Sequence, residues 1–524
     1  MEDEILQESE SVELGIKTAK RGAIYVSSKL FAAVITLILL IFLTRYLRPE
    51  YYGLYVIVVA FTSVLGMAGN FGLGTSSRKK LPESGDNVRR TAIASNTYLI
   101  GGIASIILTL IGILISPYIA TEVYRNPSLT YPLIIASVTV FLTVMFNISN
   151  ALLVGMDRVR EAAAGNIAYS LAQLIFIVPL VLLGYSILGA VSGLAIGLMI
   201  GTIITFAFAA RALGGKFIRP TKRVIGEMVH FSIPIMLSNV ATTGIMNFAI
   251  DFLGVFVLAS TVGSYGAAFK LARIFDVVLT STTFILLPAF TKAISSKSLS
   301  NRISSIYDNS VFYMLLITLP ILMFLVAASI PITDLLFSHA YSLSYIYFAI
   351  ISIGITVQVI GSFAGTLIIS YGDTKRFMRY QLLIVFTELI LLVVLTPFIG
   401  VYGAIISLFV IGPIVMNIIY IRSLRSQFGV KLRAGRVARL SIASITLLVI
   451  MMTVGRYMHF SYYSILADII VALLLYPPLI NISGSINEGN IRFLRSLSER
   501  MSKAGRVLNP IIDYTELFLC KTTK

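Results

Sequence analysis

Long runs of apolar residues follow one another along nearly all of this 524-residue chain, separated only by short groups of glycine, proline and charged residues. A helix needs about 20 apolar residues to cross a membrane, because each residue adds roughly 1.5 Å and the hydrocarbon core is about 30 Å thick. Charged residues make up 12% of the chain. A soluble domain has about a quarter of its residues charged. The sequence therefore predicts an all-α polytopic membrane protein.

The apolar runs predict about fourteen transmembrane helices, with boundaries at glycine, proline or clusters of charge. These helices cover residues 22–44, 52–74, 92–116, 130–154, 162–183, 187–210, 231–257, 264–290, 309–332, 343–370, 380–397, 402–421, 438–455 and 462–481.

Lysine and arginine are concentrated in every second loop. They follow the even-numbered helices, as in segments 78–90, 211–223 and 422–439, whereas loops after odd-numbered helices contain few. Basic loops stay on the cytoplasmic side. We therefore expect a multi-pass protein of the cytoplasmic membrane with both termini in the cytoplasm. The formal net charge of +17 then reflects topology and contact with anionic headgroups, and we expect no nucleic acid partner.

Short motifs recur at an offset of 210 to 216 residues. Gly53 in YYGLY matches Gly263 in VGSYG, and Asp157 matches Asp373. An even number of helices lies between matching positions, so the two copies keep the same orientation in the membrane. This pattern predicts two parallel six-helix lobes followed by two extra C-terminal helices.

The repeat and the charge pattern divide the chain into six segments. They are a cytoplasmic N-terminal cap at 1–21, an N-lobe at 22–210, a cytoplasmic linker at 211–230, a C-lobe at 231–421, helices 13 and 14 at 438–481, and a cytoplasmic amphipathic tail at 482–524. In the tail, Leu494 and Leu497 share one face, with Arg492 and Arg495 around them. We expect this tail helix to lie on the inner leaflet.

The predicted helix from Ser264 to Phe290 carries Lys270, Arg273 and Asp276 at a spacing of three residues. An ionisable group at the bilayer centre costs at least ~2.5 kcal/mol, so such groups normally face a protein interior or a water-filled cavity. Residues spaced by three lie about 60° apart around a helix. The three side chains therefore share one face, which we interpret as a cationic cavity wall in a transporter.

Two segments resemble a known transporter family. FLTRYLRPEYYGLYVIVVAFTSVLGMAGNFGLGTSSRKKL is similar to the opening helix pair of the polysaccharide transporters, the Wzx-type oligosaccharide flippases of the multidrug/oligosaccharidyl-lipid/polysaccharide (MOP) exporter superfamily. VGSYGAAFKLARIF resembles the start of that family's helix 8. The resemblance implies translocation of a polyprenyl-(pyro)phosphate-linked oligosaccharide from the inner to the outer leaflet by alternating access, for polysaccharide or glycan assembly. It also implies basic residues in helices 1 and 8, where this chain has Lys29, Lys270 and Arg273.

Cations in a low-dielectric wall suit the phosphate groups of such a substrate. We predict Lys29, Lys270 and Arg273 as substrate-binding cations, with snorkelling to the headgroups as the alternative for the two lysines. Buried acids could line the cavity or couple transport to H+ or Na+, or could serve only as interhelical hydrogen-bond partners. The candidate acids are Asp251, Asp276, Glu388 and Asp468. The candidate cavity amides are Asn70, Asn147, Asn239 and Asn247, and further amides in the helices are Asn150, Asn166 and Gln173.

Two other functions remain open. A cation-coupled multidrug exporter of the same superfamily would favour acids over bases in its cavity. A membrane glycosyltransferase or polymerase would be expected to carry a large outer loop, and this chain has none. We therefore expect a transporter and not an enzyme, without a cofactor or metal, since its three histidines are isolated and its one cysteine is Cys520. The expected partners are a lipid-linked oligosaccharide, membrane lipids and glycan-assembly enzymes.

Overall fold

A computed structural model of the chain describes residues 2–83, 86–216, 240–274, 300–500 and 509–518, with isolated positions in 217–239 and residues 290 and 294. The side chains of residues 2–23 lie outside this description. All regular elements of the described part are helical. The prediction of an all-α polytopic membrane protein is confirmed.

The chain forms two compact units, Met1–Gly266 and Ala267–Lys524. The helices begin with α1 (Glu2–Asn70), α2 (Leu73–Glu83), α3 (Asn87–Tyr118), α4 (Thr130–Gly155), α5 (Val159–Leu180), α6 (Ser186–Ala212), α7 (Ile245–Phe256) and α8 (259–274). They continue with α9 (Ser300–Ala327), α10 (Ser329–Phe337), α11 (Ser344–Ser370), α12 (Thr374–Ile399), α13 (Val401–Ile405), α14 (Gly412–Phe428), α15 (Ala434–Tyr457), α16 (Tyr462–Ile482), α17 (Glu488–Arg500) and α18 (509–518).

Ten helical stretches of the described part are long and apolar enough to cross a membrane. Two of them each contain two of the predicted helices, joined at a residue with positive φ. In Ser27–Asn70 the break is Arg48 (φ 60°, ψ 167°), because the residue before Pro49 disfavours helical geometry. In Val159–Ala212 it is Gly184, with φ 92°. The ten stretches thus correspond to predicted helices 1–6 and 9–14.

Predicted helices 7 and 8 include many residues outside the described ones. Of helix 7, the structure describes α7 and the π-helical turn Val240–Gly244 that leads into it. Helix 8 begins at residue 259, five residues before the predicted start at Ser264. Between α7 and α8, Val257 and Leu258 lie outside helix.

Glycines on α6 let it pack closely against α5. A Cβ atom at Gly193 would lie 2.7 Å from the backbone nitrogen of Ile177, and one at Gly197 would lie 3.0 Å from that of Gln173. Real Cβ atoms do not approach a backbone so closely, so these positions require glycine. Small residues at such spacing are the usual means by which membrane helices approach one another.

The two matching glycine motifs of the repeat contact each other directly. A Cβ atom at Gly53 would overlap the carbonyl oxygen of Ala259, and one at Gly263 would overlap that of Pro49. Each would also lie about 3 Å from the backbone nitrogen of the other glycine. Pro49 and Ala259, like the two glycines, are 210 residues apart. Each copy of the motif therefore makes equivalent backbone contacts with the other copy.

In the second unit, the tail packs onto the protein. Ile491 of α17 is 3% exposed within the apolar core formed with α9, α11, α15 and α16, and Leu494 packs against that core. Arg495 binds Asp513 and Glu516 of α18, at 2.6 and 2.7 Å. Protein therefore covers part of the apolar side of this helix, and the contact of the tail with the inner leaflet stays a prediction. The side chain of Leu497 lies outside the described residues.

Candidate functional site

Three polar side chains from three helices of the first unit lie close together, the exposed Lys29 and the buried Asn150 and Asn166. Lys29 of α1 places its Nζ atom 3.4 Å from the Oδ1 atom of Asn166 on α5. Asn150 of α4 donates to the same oxygen through Nδ2, at 3.1 Å. Both neighbours of that atom are donors, which fixes it as the carbonyl oxygen of the Asn166 amide. We call Lys29, Asn150 and Asn166 the lysine–amide cluster.

The lysine–amide cluster keeps unused hydrogen-bonding capacity. Asn150 is 4% exposed and Asn166 is 3% exposed. Nevertheless, the Oδ1 atom of Asn150 and the Nδ2 atom of Asn166 have no hydrogen-bond partner in the described part of the chain. A buried polar group without a partner costs roughly 1–3 kcal/mol. The cluster therefore offers a cation, an acceptor and a donor to a ligand with complementary groups.

More polar side chains follow along the same face of α5. Tyr169 and Gln173, three and seven residues after Asn166, hydrogen-bond to each other at 2.8 Å. The ring of Tyr169 lies 5.2 Å from that of Phe146 on α4. Aromatic rings and amides together are typical of surfaces that contact sugars. The sequence pattern placed Asn150 and Asn166 only among the further amides, because Lys29, which contacts Asn166, lies on α1, 137 residues before it.

Asn70 and Asn147, which were predicted as cavity amides, both border Gly74. A Cβ atom there would lie 4.0 Å from the Oδ1 atom of Asn70 and 3.9 Å from the backbone oxygen of Asn147. The Oδ1 atom of Asn70 is buried and has no hydrogen-bond partner among the described residues. Asn70 thus adds another buried acceptor to the first unit.

Asp251 lies on α7, near the C-terminal end of the first unit. Tyr124, which follows α3, donates its hydroxyl to the Oδ1 atom of Asp251 at 3.3 Å. Asn247, one turn earlier on α7, donates to the backbone oxygen of Thr243 at 3.1 Å. These contacts connect both residues to neighbouring protein groups. Asn239, another predicted cavity amide, lies outside the described residues.

Lys270 and Arg273 lie on the part of α8 that belongs to the second unit. Lys270 is partly buried and Arg273 is exposed. The Cζ atom of Arg273 lies 6.0 Å from the ring centroid of Phe269, whose ring is also 6.0 Å from that of Phe409. Asp276 lies outside the described residues.

Glu388 is 7% exposed on α12, in contact with a distorted part of the next membrane stretch. Its carboxylate packs against Gly412, where a Cβ atom would overlap the Oε1 atom. Gly412 follows the π-helical segment Ile406–Ile411 and precedes Pro413, which has no N–H to donate. Only a glycine leaves room for the carboxylate, and such irregular segments occur frequently at functional sites.

Asp468 is 1% exposed on α16, and neither of its carboxylate oxygens has a hydrogen-bond partner in the part of the chain that the structure describes. An ionised carboxylate is unfavourable in such surroundings unless a proton or cation neutralises it. No group of three histidine, cysteine or acidic residues that could hold a metal occurs among the described residues.

Residues 18–294 match a family model described as polysaccharide biosynthesis protein. Comparison with curated protein sequences finds no match. Among solved structures, the chain is similar to the lipid II flippase MurJ in an inward closed conformation, with a TM-score of 0.73 and 14% identity over 87% of this chain and 98% of that one.

Two further solved structures belong to the MOP superfamily. An inward-facing multidrug resistance MATE family transporter gives a TM-score of 0.60 and 15% identity over 76% of this chain and 94% of that one. A transporter from Pyrococcus furiosus gives a TM-score of 0.57 and 13% identity over 79% and 95%. At such identities the likeness establishes the fold. Together with the family match it confirms the resemblance to the polysaccharide transporters of this superfamily.

Proposed function

Because the chain belongs to the polysaccharide biosynthesis protein family, we propose that it is a flippase for a polyprenyl-(pyro)phosphate-linked oligosaccharide. It moves this lipid from the inner to the outer leaflet of the cytoplasmic membrane by alternating access, without a catalytic step. Both termini lie in the cytoplasm, where glycan-assembly enzymes supply the substrate. The MurJ structure, which has the same fold, is described as a lipid II flippase. That a protein of this fold moves a lipid-linked substrate supports the proposal.

The lysine–amide cluster is the observation that carries the proposal. A lipid-linked oligosaccharide presents phosphate oxygens, which accept charge-assisted hydrogen bonds, beside sugar hydroxyls, which both donate and accept. Lys29 suits the phosphate, and the unused amide atoms of Asn150 and Asn166 suit hydroxyls. Lys270 and Arg273 supply two further cations for the phosphate along its route.

Coupling to H+ or Na+ is the second part of the proposal. Glu388 and Asp468 are the best candidates, because both are almost fully buried and neither carboxylate oxygen of Asp468 has a hydrogen-bond partner among the described residues. Asp251 is a weaker candidate, since Tyr124 already binds it. Asp276 is retained from the sequence pattern alone.

A multidrug exporter is the alternative within the superfamily. Its cationic substrates would be repelled by Lys29 and Lys270, so the cation set favours an anionic substrate. A membrane glycosyltransferase or polymerase is the alternative from another class. The two can be told apart by the glycan, because a transferase or polymerase changes the mass of the lipid-linked glycan and a flippase leaves it unchanged.

The test uses the full-length protein reconstituted into vesicles that carry a lipid-linked oligosaccharide on one side. A glycan-cleaving enzyme added outside reports how much of the lipid has crossed, and mass spectrometry reports whether it has been altered. We expect crossing of an unaltered lipid only in vesicles that contain the protein. Equal crossing in protein-free vesicles, or a change in glycan mass, would contradict the proposal.

A further inference from the structure

A cavity of about 1160 Å³ lies in the second unit, where three membrane helices end on one side. The start of α9, the start of α15 and the segment 484–493 after α16 line it. Basic residues mark this side as cytoplasmic, by the charge bias of the loops. The cavity is therefore at the depth of the inner-leaflet headgroups, and no part of the lysine–amide cluster belongs to it.

One of the three arginines in this cavity has a structural role. The Nη1 atom of Arg436 lies 3.4 Å from the Oδ2 atom of Asp308 and donates to Asn309 at 2.9 Å. Its Cζ atom lies 3.6 Å from the ring centroid of Phe312. Asp308 also accepts a hydrogen bond from the backbone nitrogen of Arg433, at 2.8 Å. The single acid in the lining is thus fully engaged in attaching α15 to α9.

The other two arginines are available for a ligand. The guanidinium groups of Arg433 and Arg439 line the cavity, are exposed and have no acidic partner in the described part of the chain. With Asp308 and Arg436 paired, the cavity carries an excess of two positive charges.

The tail closes one side of the cavity. Asn490 donates to the hydroxyl of Tyr313 at 3.0 Å, and the ring of Phe493 stacks on that of Tyr313 with centroids 4.7 Å apart. Asn487 and Asn490 also bind each other's backbone nitrogens, which fixes the start of α17. Specific protein contacts therefore build this wall of the cavity.

An apolar surface continues from the cavity into the membrane. Ile442 and Val449 follow Arg439 by three and ten residues on the same face of α15, and they are 62% and 59% exposed. Ile445, beside them, is 53% exposed. A lipid whose headgroup contacts Arg439 could therefore lay its chain along this face.

We infer that the cavity binds the phosphate group of an inner-leaflet lipid headgroup, through Arg433 and Arg439. The two guanidinium groups can each form charge-assisted contacts with phosphate oxygens, and the exposed face of α15 favours a lipid over a soluble anion. Because the tail forms one wall, an occupied site also stabilises α17 on the second unit. This inference does not depend on the transported substrate.

The test is native mass spectrometry of the full-length protein in detergent, titrated with phosphatidylglycerol or with phosphatidylcholine. We expect tighter binding of phosphatidylglycerol, and an affinity about tenfold or more weaker in the double variant Arg433→Gln, Arg439→Gln. The matched control is Arg379→Gln, Arg422→Gln, which removes two exposed arginines outside the cavity and should change the affinity less than twofold. Arg433→Lys, Arg439→Lys should keep part of the binding, because the charge remains.

Two outcomes would overturn the inference. One is equal affinity for phosphatidylglycerol in the wild type and in the folded glutamine double variant. The other comes from the thermal midpoint, measured with inorganic phosphate and with phosphatidylglycerol at equal concentrations of phosphate groups. Stabilisation equal to that by phosphatidylglycerol, lost in the glutamine double variant, would identify a site for soluble anions.

Discussion

The Nζ atom of Lys29 lies 3.4 Å from the Oδ1 atom of Asn166, which also accepts a hydrogen bond from Asn150. A lysine near a membrane surface can extend its side chain to the headgroups. Here the ammonium group contacts an amide from another helix and lies 5.5 Å from the ring centroid of Tyr25. The exposed Lys29 therefore contacts protein groups on its own helix and on α5.

We predict that Lys29→Ala reduces flipping at least tenfold, because it removes the charge that binds phosphate. Lys29→Arg should keep part of the activity. The measurement is the accumulation of lipid-linked glycan on the inner leaflet of a strain that depends on the variant. Lys375→Ala, which removes an exposed lysine at the start of α12, should leave export normal. Normal export by Lys29→Ala would remove the lysine–amide cluster from the mechanism.

The double variant Asn150→Leu, Asn166→Leu should separate stability from transport. It removes both partners of one buried hydrogen bond together with two buried amide atoms that have no described partner, so the thermal midpoint should stay the same or rise. Transport should fall, because Lys29 loses its acceptor and the substrate loses two amides. The control is Ser170→Ala, since Ser170 donates to the backbone oxygen of Asn166 and not to its side chain. If the double variant lowered stability and transport together, the two amides would be structural.

Arg273→Ala should abolish flipping while membrane abundance stays normal, because Arg273 is exposed and substitutions at exposed positions usually cost little stability. Arg273→Lys should retain partial activity, since the charge remains although the bidentate fork is lost. Immunoblots of membranes and glycan export measure the two properties. Normal export by a stably inserted Arg273→Ala protein would rule out a phosphate-binding role.

Asp468→Asn tests the coupling proposal. The change keeps the shape of the side chain and removes its ability to exchange a proton, so the protein should remain folded. Transport in vesicles should lose its response to an imposed pH or sodium gradient. Glu388→Gln is the parallel variant. An unchanged gradient response in both would mean that these acids serve packing alone.

Gly263→Ala should lower stability by about 1–3 kcal/mol, because the new methyl group would overlap the carbonyl oxygen of Pro49. Gly53→Ala should act in the same way against Ala259. The thermal midpoint of the purified protein measures both effects. Gly435→Ala is the control, since a Cβ atom there meets nothing within 4 Å. Equal thermal midpoints for Gly263→Ala and Gly435→Ala would mean that the backbone at Pro49 moves to accommodate the methyl group without a loss of stability.

Much of the fold follows from hydropathy, because the bilayer requires long apolar helices and their ends are marked by charge, glycine and proline. The breaks at Arg48 and Gly184 fall between predicted helices for this reason. Which helices become neighbours is a different matter, since it depends on packing between distant parts of the chain. The pairing of Lys29 with Asn166 and the burial of Ile491 could therefore not be read from the periodicity of a single helix.

The glycine contact between the two copies of the repeat also bears on the origin of the chain. Gly53 meets the backbone at Ala259, and Gly263 meets the backbone at the equivalent Pro49. Such reciprocity, in which one patch recognises its own copy, is the defining property of an isologous interface in a two-fold symmetric homodimer. A shorter ancestor that carried one copy of the motif could have paired with itself through this surface. Gene duplication and fusion would then have joined the two partners while preserving their contact.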